Sequence, residues 1–72
     1  MKTLDLHGYK HSEVSKIIDN FIYKNDVIEF RIIYGNSDRM LDIVIDCLKN
    51  YSVSIERRDS TLNRKYVVVR IK

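Results

Sequence analysis

The chain has 72 residues, which allows one domain with a small core, because a domain of this size buries only about 60% of the surface that its unfolded chain exposes. With 44% hydrophobic and 32% charged residues, the composition is typical of a globular chain and excludes a disordered one. Thirteen basic against ten acidic residues give a net charge of +3, which favours a polyanionic partner without requiring one. An ordinary charged surface is the alternative.

Cysteine content and apolar runs predict where the protein resides. Cys47 is the only cysteine, which excludes an internal disulfide and a metal site built from several thiolates. The N-terminus lacks an apolar stretch long enough for a signal peptide, and no run of apolar residues is long enough to cross a bilayer. We therefore expect a cytoplasmic protein without a membrane partner, and a single domain over residues 1–72.

The stretch Leu4-Asp5-Leu6-His7-Gly8 predicts a strand over residues 3–7 that ends in a glycine turn. Because alternate side chains of a strand share a face, the two leucines are expected to face a core while the carboxylate and the imidazole lie side by side away from it. Gly8 permits backbone angles that other residues avoid, so the chain is expected to turn sharply and leave His7 at an open rim.

Two stretches have the periodicity of amphipathic helices. The first covers residues 12–25, with Ser12 or His11 as its cap, and the second begins at Ser37 or Asp38 and ends before Lys49. The apolar stripe of the first helix is Val14, Ile17, Ile18, Phe21 and Ile22, and that of the second is Met40, Leu41, Val44, Ile45 and Leu48.

Three further strands are predicted over residues 27–33, 52–57 and 65–71, with a polar loop over residues 57–64. The first of them is nearly continuously apolar, which is typical of an interior strand. The order β-α-β-α-β-β predicts an α+β fold: a two-layer sandwich with a four-stranded mixed sheet and both helices on one face. The first two strands are expected to be parallel and the last two to form a hairpin.

A candidate site follows from this topology. Parallel neighbouring strands end at the same rim of a sheet, where open α/β sheets usually bind ligands, so His7-Gly8 and Tyr34-Gly35-Asn36-Ser37 are expected to face one another. The start of a helix favours an anion such as phosphate. A phosphate site beside a histidine indicates phosphodiester chemistry, with His7 as general acid or base and Asp5 either orienting it or holding Mg²⁺ or Mn²⁺. The alternative is that both side chains only satisfy hydrogen bonds of a turn.

Basic and aromatic residues near this rim favour a nucleic acid over a small metabolite. The last hairpin carries Arg57, Arg58, Arg64 and Lys65, and we expect Arg31, Arg39 and Arg70 to add to the same side. Tyr9 and Tyr34 are candidates for stacking on unpaired bases. A solvated loop and tyrosines that pack in the core are the alternatives.

These motifs resemble the Smr (small MutS-related) domain family over essentially the whole chain. Leu4-Asp5-Leu6-His7-Gly8-Tyr9 matches the first signature of that family, and Asp19-Asn20-Phe21-Ile22 falls where its first helix has a similar acidic-apolar run. Arg31-Ile32-Ile33-Tyr34-Gly35 looks like the strand that leads into its second signature, a His-Gly-x-Gly loop. This chain departs from that loop by Tyr34 in place of His and Ser37 in place of the second Gly.

The resemblance implies the same βαβαββ fold and an endonuclease that cuts RNA or nicks DNA, some relatives acting at ribosomes. It implies Asp5 and His7 as the catalytic pair. The residues expected to contact nucleic acid are Gly8, Tyr9, Tyr34, Gly35, Asn36, Ser37, Arg39, Arg57, Arg58, Arg64 and Lys65. The altered second loop keeps a rival reading open, a catalytically inactive module that binds RNA, a ribosome or a protein. The third hypothesis for the function is a small homo-oligomer with a structural role.

Overall fold

A computed structural model describes residues 2–25, 28–35, 37–59 and 65–72. The chain forms four strands and two helices in the predicted order. Their bounds are β1 Lys2–Asp5, α1 His11–Lys24, β2 Glu29–Gly35, α2 Asp38–Leu48, β3 Val53–Asp59 and β4 Lys65–Ile71.

The strands form one mixed sheet in the order β1-β2-β4-β3. β1 runs parallel to β2, whereas β4 is antiparallel to both β2 and β3. This arrangement confirms the predicted α+β sandwich, the interior position of β2 and the closing hairpin. It also brings the ends of β1, β2 and β3 and the start of β4 to one edge of the sheet. This edge is the one at which strands end, and not the side of an outer strand.

The core lies between the sheet and the helices. β2 alternates strictly, with Phe30, Ile32 and Tyr34 buried and the residues between them half-buried. The predicted helical stripes pack on this face. The buried residues are Leu6, Val14, Ile18, Phe30, Ile32, Tyr34, Met40, Leu41, Val44, Leu48, Val67 and Val69. The opposite face of the sheet has no helix on it among the described residues.

Three boundaries differ from the sequence prediction. β1 ends at Asp5 and not at residue 7, because the backbone N–H of His7 donates to the Asp5 carboxylate at 2.9 Å and so leaves the ladder. β2 extends to Gly35 since that residue still pairs with Lys65. β3 extends to Asp59 by pairing with β4, so part of the predicted polar loop is strand. Val27, the predicted first residue of β2, lies outside the described residues.

The start of α1 also corrects a prediction. The helix begins at His11 with Lys10 in the capping position, so neither His11 nor Ser12 is the cap. Glu13 replaces a capping side chain, because its Oε1 accepts a hydrogen bond from the backbone N–H of Lys10 at 3.1 Å. Neither helix is long and apolar enough to span a membrane, within the residues that the structure describes.

Candidate nucleic-acid site at one edge of the sheet

The turn after β1 presents His7 at the edge of the sheet. Leu6 is fully buried, and its backbone N–H donates to the carbonyl of Ile33 at 2.9 Å, which anchors the turn to β2. Gly8 follows with φ of 88°, the positive value that allows the sharp exit expected from the sequence. His7 is exposed, and its imidazole makes no hydrogen bond with any described residue. The ring is therefore accessible to a ligand.

Asp5 contacts the backbone of His7 and not its ring. Its Oδ1 accepts the hydrogen bond from the His7 N–H, which is an Asx turn. The sequence left three roles open for Asp5, namely orientation of the imidazole, metal binding and hydrogen bonding of a turn, and this contact is of the third kind. Asp5 thus fixes the backbone that carries His7.

The end of β2 forms the other half of the edge. The pairing of β2 with β4 shifts between Ile33 and Gly35, a β-bulge with Gly35 at φ of 73°. Ser37 then caps α2, and its Oγ accepts from the backbone N–H of Met40 at 3.1 Å. Its φ of −94° and ψ of 112° are extended values that any residue adopts, so the conformation does not require the glycine of the family motif at this position.

A pocket of about 310 Å³ lies between this edge and the first turn of α2. It is lined by Tyr34, Asp38, Leu41, Arg57 and Lys65. Arg57 and Lys65 share the helix-covered face with Val67, because Arg57 pairs with Val67 and Lys65 lies two residues before it. The sequence had placed Asp38 and Leu41 only in the helix; their positions in its first turn, beside the second glycine loop, were the signal that they line the site.

His7 and this pocket share one edge of the sheet, but His7 does not line the pocket. The turn of His7 follows Asp5, which is a residue of the open face by strand alternation, whereas the pocket lies on the helix-covered face. The expectation that His7 and the start of α2 share a single pocket is therefore wrong, and the two lie on different faces at the same edge.

The two candidate stacking tyrosines have different environments. Tyr9 is 49% exposed, so its ring is available to a base. Tyr34 is only 6% exposed and packs in the core, which is the alternative noted for it. Its remaining surface lines the pocket.

Three of the predicted basic residues do not reach this pocket. Arg70 pairs with Glu29 at the opposite end of β2, where its Nε lies 2.8 Å from the carboxylate. Arg31 lies on the open face with its guanidinium 5.0 Å from the ring centre of Tyr66, a cation–π contact, and its buried Nε has no hydrogen-bond partner. Arg39 lines a separate depression of about 710 Å³ along α2 that also contains two aspartates. The expectation that Arg31 and Arg70 add to the same basic side is therefore wrong, whereas the contact of Arg39, in the first turn of α2, with nucleic acid stays a prediction.

Several predicted site residues cannot be placed. Asn36, Arg64 and the side chain of Arg58 lie outside the described residues. Within the described ranges, no group of three or more His, Cys, Asp or Glu side chains is positioned to hold a metal ion. The binding of Mg²⁺ or Mn²⁺ by Asp5 stays a prediction.

Comparison of the chain with models of protein families, with curated proteins and with solved structures finds no match. The likeness to the Smr family thus depends on the motif residues alone.

Proposed function

We propose that this chain is an Smr-like domain that binds a nucleic acid at the described edge of the sheet and cleaves a phosphodiester there. The observation that supports it is the parallel pairing of β1 with β2, in which Asp5 lies opposite Ile33. This pairing brings an exposed histidine and the start of a helix to one edge although they are far apart in sequence.

His7 is the group proposed to move the proton. Histidine gains and loses a proton near neutral pH, which suits a general acid or base. On RNA, the imidazole would accept the proton of a ribose 2′-hydroxyl as that oxygen bonds to the neighbouring phosphorus. The bond from phosphorus to the 5′-oxygen breaks, and the leaving oxygen takes a proton from water. The products are a cyclic phosphate and a 5′-hydroxyl end.

The start of α2 is proposed to stabilise the charge of the phosphate. Met40 and Leu41 donate their backbone N–H groups to the side chain and carbonyl of Ser37. The N–H groups of Asp38 and Arg39 have no such partner in the described part of the chain, and they lie at the positive end of the helix dipole. Both features favour an anion.

The test uses the purified chain with labelled single-stranded RNA, duplex RNA and supercoiled plasmid, with Mg²⁺ or Mn²⁺ and with chelator. His7→Ala should abolish new ends and leave binding nearly unchanged. His11→Ala is the matched control, since it removes the other histidine of the chain, at the start of α1. Cleavage by His7→Ala at the wild-type rate would remove His7 from the mechanism.

The second candidate is a module that binds RNA or a ribosome without cleaving it. The contact of Asp5 with the backbone of His7 favours this candidate, because it gives the carboxylate a structural task. Binding that weakens steeply with added salt, together with no cut product under any metal condition, would select it over the endonuclease.

A further inference from the structure

The pocket beside α2 contains a buried tyrosine with an unused hydroxyl. Tyr34 is 6% exposed, and its hydroxyl makes no hydrogen bond with any described residue. Among the described residues, the buried side-chain polar atom without a hydrogen-bond partner is the Nε of Arg31, so the Tyr34 oxygen is not sealed inside the core. Because this oxygen meets solvent and Tyr34 lines the pocket, the hydroxyl is available there as a hydrogen-bond donor to a ligand.

Two cationic side chains complete the lining. Arg57 and Lys65 make no hydrogen bond or ion pair with the described residues, although both line the pocket with Tyr34. The Asp38 carboxylate also lines it, which leaves one positive charge in excess. The positive net charge of the lining favours an anionic group such as phosphate. Arg and Lys are the usual donors to phosphate, and a hydrogen bond to a charged acceptor is stronger than one between neutral groups.

We infer that this pocket binds one phosphate group of a nucleic-acid strand, with the Tyr34 hydroxyl, Arg57 and Lys65 as its donors. The inference deepens the proposed function, on which its nucleic-acid part depends. It gives the ligand a second anchor beside the His7 turn, so a strand is held at two positions along one edge. The phosphate group could be a monoester at the end of a nucleic-acid strand or a diester within it, and the experiment distinguishes the two.

The first arm uses inorganic phosphate, which needs no assumption about nucleic acids. Amide NMR of the isotope-labelled full chain should show shifts concentrated at Tyr34, Asp38, Arg57 and Lys65 as phosphate is added. Tyr34→Phe removes only the hydroxyl and Lys65→Gln removes only the charge. Each substitution should raise the dissociation constant for phosphate about tenfold. Lys16→Gln is the matched control, because it makes the same change in net charge on the exposed side of α1.

The second arm compares two oligoribonucleotides of one sequence, with and without a 5′-phosphate, bound to the His7→Ala protein so that no cleavage occurs. If the pocket takes a terminal phosphate, the phosphorylated strand binds about tenfold tighter and Tyr34→Phe removes the difference. If it takes an internal phosphate, Tyr34→Phe weakens both strands equally. Either pattern supports the pocket and identifies the source of the phosphate.

The inference is overturned if Tyr34→Phe and Lys65→Gln behave like Lys16→Gln in both arms. Its failure is distinct from failure of the proposed function. Cleavage that depends on His7 but is unchanged in both pocket variants would support the proposed function and contradict the phosphate site. Phosphate shifts at the pocket without binding of any nucleic acid would retain the pocket and reject the function.

Discussion

The carboxylate of Asp5 accepts a hydrogen bond from the backbone N–H of His7, with 2.9 Å between oxygen and nitrogen. The contact lies at the end of β1, where the chain leaves the sheet. Gly8, which has a positive φ, follows directly after His7. One side chain therefore fixes the backbone of the residue proposed to move the proton. Asp5 acts in this geometry as a positioning residue.

Replacement of Asp5 by Ala and by Asn should have different effects. Ala removes the acceptor, which should lower the free energy of unfolding by no more than about 1 kcal/mol because the contact is exposed. It should also lower cleavage about a hundredfold through misplacement of His7. Asn keeps an oxygen in the same position, so it should restore most of the stability and most of the cleavage rate. Urea unfolding and the RNA cleavage assay measure the two effects, and an Asn variant as inactive as the Ala variant would show that the charge itself is needed.

The turn shows how far sequence reasoning reached. Alternation of apolar and ionisable residues placed Leu6 in the core and Asp5 and His7 outside it, and the structure agrees for all three. It left open whether the carboxylate would bind the backbone or the ring, because alternation fixes the face of a side chain but not its rotamer. That choice depends on where β1 leaves the ladder.

The capping contact of Ser37 gives a second prediction. Ser37→Ala should lower the free energy of unfolding by about 1 kcal/mol, since the Met40 N–H loses the oxygen that accepts its hydrogen bond. Ser37→Gly introduces the residue that the Smr motif has at this position and should cost only a few tenths of that amount. Chemical unfolding of the three proteins measures the series. A Gly variant less stable than the Ala variant would contradict the capping role.

Tyr34 marks the limit of sequence reasoning at the second loop. Its position next to Gly35 suggested a loop residue, but β2 continues to Gly35 and its alternation turns Tyr34 into the core. Both readings were compatible with the sequence, because a tyrosine at a strand end suits packing and ligand contact alike. The pocket combines them, since the ring is buried and the remaining surface is part of the lining.

Gly8 should resist replacement for reasons of backbone conformation alone. Its φ is 88°, and a Cβ added there would meet no atom within 4 Å. Gly8→Ala should therefore cost about 1 kcal/mol through the unfavourable conformation and not through a clash. Gly8→Asn should cost less, because Asn tolerates positive φ better than Ala. Thermal unfolding ranks the variants, and an Ala variant as stable as the wild type would show that the turn relaxes to another conformation.

A long-range contact joins the segment before β3 to α1. The hydroxyl of Tyr51 donates to the Asp19 carboxylate at 2.6 Å. This hydrogen bond, followed by partial burial and by the negative charge of Asp19, raises the pKa of Tyr51 above its ordinary value of 10.0. The folded protein thus binds the phenolic proton more tightly than the unfolded chain does, and the contribution to stability is present in full below about pH 10.

As the pH rises through the raised pKa of Tyr51, this contribution should disappear. Tyr51→Phe lacks the hydroxyl that donates to Asp19, so the wild type should be the more stable protein at neutral pH. The difference in free energy of unfolding between the two proteins should shrink in alkali. Urea unfolding of both proteins across that range measures it. Tyr23→Phe is the control, because Tyr23 is 89% exposed, and it should follow the wild-type curve. Parallel pH curves for Tyr51→Phe and the wild type would show that the hydrogen bond to Asp19 does not form in solution.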